Sequence, residues 1–581
     1  MEPLIDPRRG DIEDDASSPK NRSLLSLAGS LISEISLPKL FVAWMLMLVA
    51  PCLVLGLTPL IASAWVARLS GRFASPFAGV WPILAIAVLL ALGWFGGRTL
   101  FRLVERSFWS LNSLIVEPFY VGAREGLRQL VDQLLPERTT RTRRRRLRAA
   151  TALAAGMLIG VLALAALTLA WPASRWVGTL SDLAAPLRLS PVALANAVVL
   201  VAVYLAGAAL VSAIADAAMA QPRDFRGFLA APPARRGWRV AHLSDLHVVG
   251  ERYGFRIESG RAGPRGNERL KELLRELDAL HARSPLDAIL ITGDMTDAGR
   301  SSEWAEFLDA LALHPALADR LLILPGNHDL NVVDRANPAR LDLPGSPSKR
   351  LRQLRALSAI DALQGRRARV VDHAAGRLGA TLDDVLKPRR AQIAEFADDG
   401  RMLLSMRLAE LWARVFPLVV APQTDDGLGI ILLNSNAETH FSFTNALGMI
   451  STEQMKGIEI AAAQYPRACW LIALHHHPVE YPRAANALSE RIGTALINGS
   501  SFIRRLRPLK GRSALMHGHR HIDWIGECAG LLIVSAPSPV MSAADDLASY
   551  FYVHTFAVGA HGRLVMLTPE RVTVKGIVAA S

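Results

Sequence analysis

The sequence predicts an α/β fold, a layered β-sandwich flanked by helices, preceded by an all-α transmembrane region of four helices. Three observations predict it. Four long stretches before residue 217 (41–64, 80–100, 150–171 and 191–213) are apolar and almost free of charge. From about residue 236 onward, strand-like and helix-like segments alternate, the pattern of a sheet layered with helices. Within that second part, five short segments end apolar runs with side chains that seek metal ions. They are Asp245-Leu246-His247, Gly293-Asp294-Met295-Thr296-Asp297, Gly326-Asn327-His328-Asp329, His475-His476-His477-Pro478 and Gly518-His519-Arg520-His521.

A helix needs ~20 apolar residues to cross a hydrocarbon layer of ~30 Å, and all four stretches reach that length. A positive mean hydropathy and 51% hydrophobic residues agree. The first stretch is too long, and starts too late, for a cleaved signal peptide. Residues 1–38, with the acidic run Asp11–Asp15, read as a disordered tail. Residues 98–148 carry twelve Arg, Arg143 to Arg146 in a row, whereas the links 65–79 and 172–190 carry two each. Basic residues near span ends favour the cytoplasmic side. The tail, the Arg-rich loop and everything after residue 214 are therefore expected in the cytoplasm. Residues 39–217 then form a membrane region, 218–235 a linker marked by Gln221-Pro222 and Pro232-Pro233, and 236–581 a globular domain. A composition rich in Ala and Arg points to a GC-rich bacterial genome, and hence to an inner membrane. Inside the Arg-rich loop, Leu114, Phe119, Leu127, Leu130 and Leu134 fall at helical spacing over residues 107–135. That spacing fits a helix lying on the bilayer or one packed on the globular domain.

In the globular part, strands are expected at Trp238–Leu243, Ala288–Thr292, Leu321–Leu324, Gly429–Leu433, Cys469–Leu474, Ser513–Met516 and Leu531–Val534. Further strands are expected near Phe551–Val558, Arg563–Leu567 and Val572–Val578. Ala288–Thr292 and Leu321–Leu324 are almost wholly apolar, as in strands covered on both faces. Helices are expected between strands, as at Asn267–Ala282, Ser301–Leu313 and Thr452–Gln464. Residues 345–415 break the rhythm as a long, mostly helical insertion rich in Arg and Ala.

Composition excludes some classes. The net charge of +13 owes much to the loop beside the spans, where anionic headgroups attract basic residues by ~1 kcal/mol each. Aromatic residues do not interleave with it, so no nucleic-acid platform is expected. The three cysteines, Cys52, Cys469 and Cys528, form no CxxC pair, which argues against a zinc ribbon or disulfide framework. Any metal site must therefore be built from His, Asp and Asn.

The five segments supply that set. Residues two apart in a strand point the same way, so Asp245 and His247, like His519 and His521, can aim at one ion. Asp294 carries two oxygens and can bridge two ions. Asn327 offers an amide oxygen, and the His475–His477 run at least one imidazole. Mixed N/O donors suit Mn, Fe, Zn or Co better than Ca or Mg. Two such ions ~3.5–4 Å apart can share a hydroxide and clamp the oxygens of an in-line displacement at phosphorus. His328, adjacent to Asn327, is placed to give the leaving oxygen a proton, with Asp329 expected to orient it or stabilise its charge. Asp297 reads as a residue that holds a ligand histidine, and His242 as one packed beneath the sheet.

These five blocks, in this order, resemble those of the calcineurin-like metallophosphoesterase family, in its cyclic-nucleotide-phosphodiesterase-like branch. The resemblance covers roughly residues 236–540 and extends to Leu432-Leu433-Asn434-Ser435-Asn436, Gly448 and Gln454. It implies a metallophosphoesterase-like domain in which one ion takes Asp245, His247, Asp294 and His521. The other takes Asp294, Asn327, His475 and His519, with His476 as the alternative to His475. It implies hydrolysis of phosphoric esters, phosphodiesters favoured over monoesters, on a nucleotide or a lipid-linked phosphate beside the bilayer. The competing expectation is a membrane sensor or scaffold whose phosphoesterase-like domain binds ligand without turnover.

Overall fold

The computed structural model describes residues 3–7, 41, 45, 49–73, 116, 119–134, 140–179, 182, 186–230, 237–251, 266–334, 340, 342, 345–440, 442, 445–482, 496–541 and 547–576. They fall into two compact units, one spanning 35–219 with 487–492, the other 1–34, 220–486 and 493–581.

The first unit is helical. Helices α1 (Ala50–Phe73), α2 (Gly122–Leu134), α3 (Arg141–Ala170) and α4 (Ser190–Ala217) are the long elements described there. Thr140 opens α3 as its cap, its side chain accepting from Arg143 N, and Pro191 sits in the first turn of α4. A proline is tolerated there because a first-turn N–H has no partner within the helix anyway. Among the described residues, three helices are long and apolar enough to cross a membrane: Ala50–Arg68, Arg145–Ala173 and Ser190–Ala217. The expected span at 80–100 lies outside the described residues. A buried amide knots the unit together. Asn196 Nδ2 donates to the carbonyls of Gly56 (2.9 Å) and Arg175 (2.7 Å), while its Oδ1 accepts from Arg175 N (2.9 Å).

The amphipathic stretch 107–135, as far as it is described, packs one side on the apolar helices and leaves Phe119, Leu130 and Leu134 exposed. Val116, Tyr120 and Val121 pack against Ala155 and Ile159 of α3 and Ala209 and Ala213 of α4. Arg124 pairs with Asp216, which also accepts from the Tyr120 hydroxyl (2.9 Å). Small alanines on α3 and α4 leave room for the larger residues, which periodicity alone could not show.

The second unit is α/β. Its strands are β1 (Arg223–Asp224), β2 (Trp238–Leu243), β3 (Ala288–Ile291), β4 (Leu321–Ile323), β5 (Arg369–Asp372), β6 (Arg377–Thr381), β7 (Leu418–Val420) and β8 (Leu428–Leu432). They continue as β9 (Cys469–Ala473), β10 (Ser513–His517), β11 (Trp524–Cys528), β12 (Leu531–Ser535), β13 (Ser549–Val558), β14 (Leu564–Met566) and β15 (Glu570–Val574). One sheet runs β1-β11-β12-β10-β9-β8-β7-β5-β6, the other β14-β13-β2-β3-β4 with β15 paired to β13. The centres of both are parallel: β8, β9, β10 and β12 in one, β2, β3 and β4 in the other. Helices α5 (Glu268–Arg283), α6 (Ser301–Ala312), α7 (Asn327–Leu330), α8 (Pro347–Gln364), α9 (Met402–Val415) and α10 (Thr452–Gln464) connect and flank them. One apolar core, with Leu243, Ile289, Trp304, Ile323, Leu357, Leu471 and Met516 in it, joins the two sheets.

The insertion is mostly helical, as expected, and its Arg369–Asp372 and Arg377–Thr381 form a hairpin that closes the edge of the larger sheet through β7. Another expectation needs amendment. Within the stretch read as a disordered tail, residues 3–7 are packed. Ile5 is buried in the core, its N–H donating to Ser358 Oγ (2.9 Å), and the Pro7 carbonyl accepts from Ser301 Oγ (3.2 Å). Leu4, Ile5 and Pro7 supply apolar surface that the acidic run beyond them lacks.

Candidate metal centre

The polar segments stand at the carboxyl ends of the parallel strands. Asp245 and His247 follow β2, Asp294 follows β3, Asn327 follows β4, His475 follows β9, and His519 and His521 follow β10. Strand ends on one side of a parallel sheet are where ligand sites form in α/β folds. The local backbone is unusual. Among the described residues, seven non-glycine residues have positive φ, and five are Asp245 (57°), His247 (46°), Asp294 (53°), His519 (74°) and His521 (52°). Each such residue costs on the order of 1 kcal/mol, a strain that persists where surrounding structure imposes it. Asp245 and His247 therefore converge by two left-handed turns beyond the end of β2, not by strand alternation.

Close packing tightens the same turns. A Cβ on Gly326 would lie 2.1 Å from Asp294 Oδ1, and Gly293, at φ 100°, would drive one to 2.4 Å from His475 Nδ1. Neither position admits another residue without moving a site side chain.

Among the described residues three triads bring one donor atom each within 4.8 Å of one another: Asp245, His247 and His521; Asp294, His475 and His519; and His247, Asp297 and His328. Asp294 links the first two, its Oδ2 3.7 Å from His247 Nε2 and 3.3 Å from His475 Nε2. His521 Nε2 is 3.3 Å from Asp245 Oδ1. Asn327 Oδ1 and His519 Nδ1 each lie 3.0 Å from His475 Nε2.

The tautomer of His475 gives this crowding its meaning. Its Nδ1 donates to the Thr292 carbonyl (2.7 Å), so in the neutral ring Nε2 holds a lone pair. An amide oxygen, a carboxylate oxygen and another imidazole nitrogen then face that lone pair. Acceptors gathered in a buried place are costly unless a cation or proton joins them. His519 Nε2 is buried with no hydrogen-bond partner among the described residues. The donor set, O and N without thiolate, fits divalent transition metals.

The electrostatics agree. Burial pushes the Asp294 carboxyl up, yet the surrounding imidazoles, His475 foremost, hold it well below the usual carboxylate range. Burial lowers His475, but the Asp294 carboxylate beside it outweighs this and raises it to about 9, so without an ion a proton on Nε2 joins the acceptors around it. Burial pushes His519 well below its ordinary value, and neighbouring His476 pushes the same way. The Asp294 carboxylate is thus held ionised at the centre, and a metal ion bound there takes the place of the His475 proton.

The flanking residues take defined places. His328 Nδ1 donates to the Asp297 carbonyl (2.7 Å), its backbone N–H donates to Asp294 Oδ1 (2.8 Å), and its ring lies edge-on to His247 (4.5 Å between centroids). Asp297 Oδ1 is 3.5 Å from His247 Nδ1. Asp329 departs from the expectation that it orients His328. Its buried carboxylate accepts from Thr296 N (2.9 Å), Thr296 Oγ1 (2.7 Å) and Gly326 N (2.8 Å). The short helix α7 turns Asp329 back toward the β3 loop, so it braces two site loops against each other. His242 is buried beside His554 (5.9 Å between centroids), 3.2 Å from Thr292 Oγ1.

Ser435 escaped the sequence reading as a site residue, although the stretch containing it stood out. Its hydroxyl accepts from the N–H groups of His475 and His476 (3.1 Å each) and so donates to His476 Nδ1 (2.9 Å). That commits one ring nitrogen of His476 to holding the loop. Gln454 exchanges two hydrogen bonds with the Asn434 backbone (2.9 and 2.8 Å). Ser538 donates to the Asp245 carbonyl (2.7 Å).

Comparison with known proteins accords with this geometry. The family model of calcineurin-like phosphoesterases matches residues 239–384, and the chain carries such a domain there. With the two sheets above, that is the metallophosphoesterase fold. Among curated proteins, none matches the chain. Among solved structures, the chain is similar to a dimetal phosphatase from Danio rerio, at 14% identity over 58% of this chain and 98% of that one, with a TM-score of 0.34. It is also similar to a candidate 5′-nucleotidase from Staphylococcus aureus (11% identity, 60% and 56% covered, TM-score 0.29). A purple acid phosphatase from yellow lupin, Lupinus luteus, is similar at 12% identity over 56% and 50%, with a TM-score of 0.26.

Proposed function

We propose that this protein is a membrane-anchored phosphoesterase using two divalent metal ions and acting on phosphodiesters from the cytoplasmic side of an inner membrane. Asp245, His247, Asp294 and His521 would hold one ion, and Asp294, Asn327, His475 and His519 the other. The observation that carries the reading is the Asp294 carboxylate set between two triads of O and N donors. His475 is favoured over His476 because its Nε2 faces Asn327, Asp294 and His519, while His476 Nδ1 takes the Ser435 proton. The ions, when bound, supply charge that acidifies water and offsets negative charge on phosphoryl oxygens.

The remaining work falls to side chains. With Nδ1–H donated to the Asp297 carbonyl, His328 in its imidazolium form presents the Nε2–H whose proton passes to the leaving oxygen, leaving the neutral ring. The Asp297 carboxylate fixes the His247 ring, and Asp329 holds the loop bearing Asn327 and His328 in register with Asp294. The membrane reading rests on the three bilayer-length helices and on the Arg-rich segment that runs into the first turns of α3. Phosphodiesters are preferred on the resemblance of the five blocks, and the bilayer admits either a nucleotide or a lipid-linked phosphate.

The test is hydrolysis of bis(p-nitrophenyl) phosphate and of p-nitrophenyl phosphate by the full chain supplied with Mn²⁺. Chelator-sensitive turnover of the diester is expected, falling by on the order of 10³-fold in Asp294→Ala, as when a strong charge-stabilising group is lost. Equal turnover in folded Asp294→Ala overturns the mechanism. Two bound ions without turnover of any ester leaves a ligand-binding domain instead.

A further inference from the structure

His521 is poorly covered for a residue assigned to an ion. Its side chain is 31% exposed, against 0%, 4%, 3% and 0% for Asp245, His247, Asp294 and His475. It follows β10 of the larger sheet, whereas Asp245, His247 and Asp294, its companions on one ion, all follow strands of the smaller sheet. That ion therefore depends on a single side chain reaching across from the other sheet. Two residues beyond His521, Asp523 makes a bridge back. Its Oδ2 accepts from the hydroxyls of Tyr552 (2.9 Å) and Tyr550 (3.2 Å). The two tyrosines lie two apart on β13 and so share a face, the half-buried one. Strand β13 pairs with β2 in a register that sets Tyr552 opposite His242, three residues before Asp245. The phenols are themselves fixed. Their rings stand edge-on, 5.7 Å between centroids, and the Arg571 guanidinium lies over the Tyr550 ring, 3.8 Å from its centroid, a contact favoured by the negative face of the ring.

We propose that Asp523, clasped by Tyr550 and Tyr552, is a positioning residue that sets His521 for the ion it shares with Asp245, His247 and Asp294. This rests on the two-ion reading above. The loop after β10 is pinned on both sides of His521: on the near side the His519 N–H donates to Asp245 Oδ2 (2.9 Å), and on the far side stands the clasp. Both ties run from the larger sheet to the smaller one. Opening the clasp frees His521 and leaves His519 tied. The other ion has its own ties across the sheets, because His475 Nδ1 donates to the Thr292 carbonyl (2.7 Å) at the end of β3. Loss of the clasp is therefore felt at one ion and spared at the other. Groups that orient a metal ligand set affinity nearly as the ligands do, and here that role falls to a carboxylate that touches neither ion nor substrate.

The test uses the full chain in detergent with added Mn²⁺, read by calorimetric titration and by low-temperature electron paramagnetic resonance. Two neighbouring Mn²⁺ ions couple magnetically and give a spectrum distinct from that of a lone ion. In Asp523→Ala, and in Tyr550→Phe combined with Tyr552→Phe, one Mn²⁺ should bind ~10–100-fold more weakly, the range for groups that orient a ligand, while the other keeps its affinity. At a Mn²⁺ concentration that just fills both sites of the parent, the coupled spectrum should give way to that of a lone ion. Asp523→Asn, whose amide oxygen still accepts from the phenols, should keep the coupled spectrum. A coupled spectrum in Asp523→Ala at that concentration, or equal weakening of both ions, overturns the proposal and leaves the two-ion site standing. The same loss in Asp523→Asn as in Asp523→Ala also overturns it, since the effect would then follow the charge and not the clasp. No coupled pair in the parent overturns the two-ion reading and the proposal together.

Discussion

Asn196 in the helical unit and Asn327 in the sheet unit are equally hidden from water, 0% and 1% exposed, and differ in what they face. The Asn196 amide is spent on backbone, two carbonyls and one N–H. The Asn327 oxygen meets the Nε2 of His475, itself crowded by a carboxylate and another imidazole. A satisfied buried polar group is a structural fastener, since its bonds replace those lost to water. Acceptors gathered around one atom call for a cation among them, a proton on His475 or a metal ion in its place. Burial alone would not distinguish the two units; the direction of lone pairs does.

The largest effects that sharpen this contrast belong to the sheet unit. His328→Ala should lower the turnover of diesters by ~10²–10⁴-fold, the range for losing a positioned acid, with metal content by elemental analysis unchanged. A loss of metal equal to the loss of rate would mean that His328 holds the site together and moves no proton. Ser435→Ala should weaken Mn²⁺ binding by ~10–100-fold, as for other groups that orient a ligand histidine. Calorimetric titration reads that directly, and an unchanged isotherm would show that the Ser435 hydroxyl does not set the His475 loop.

The helical unit should respond in stability alone. Asn196→Ala removes a donor from the carbonyls of Gly56 and Arg175 and the acceptor of the Arg175 N–H, a loss of ~1–3 kcal/mol. The unfolding midpoint in detergent should fall while hydrolysis per folded molecule stays the same. A fall in turnover with no change in midpoint would break the distinction between fastener and site.

Much of this contrast was readable in the sequence. The parallel strands that carry the site appear as apolar runs because both faces are covered, and Gly-Asp, Gly-Asn and Gly-His junctions mark their ends. The edge elements of the larger sheet were not readable. The two residues of β1 and the β5–β6 hairpin have little apolar signal of their own and exist because a neighbouring strand offers its edge. Strand alternation pairs Asp245 with His247, yet the residues meet through positive-φ turns, a feature no side-chain pattern announces. The proximity of Asp329 to His328 in sequence suggested a working pair, whereas one short helical turn points the carboxylate at Thr296 and Gly326. Ser435 acts through lone-pair counting among three partners, visible only once His475 and His476 are in place.

A last effect, read in stability against pH, concerns a carboxyl just behind the metal centre. Glu303 is 1% exposed, and its Oε2 accepts from the N–H groups of Ala298 (2.8 Å) and Arg300 (3.1 Å) at the start of α6. Burial, then the nearby Asp297 charge, pushes it up from the ordinary 4.5 to about 8. The folded chain therefore keeps a proton that the unfolded chain releases. Its contribution to stability is complete below pH 4.5 and declines as pH rises toward about 8, beyond which it is flat. Glu303→Gln cannot lose that proton, and its amide oxygen can still accept from both N–H groups. The midpoint of the variant should exceed that of the parent by a margin that widens across this window. A margin independent of pH would show that Glu303 is ionised in the folded protein, and that a fastener beside the site can hold charge without a cation.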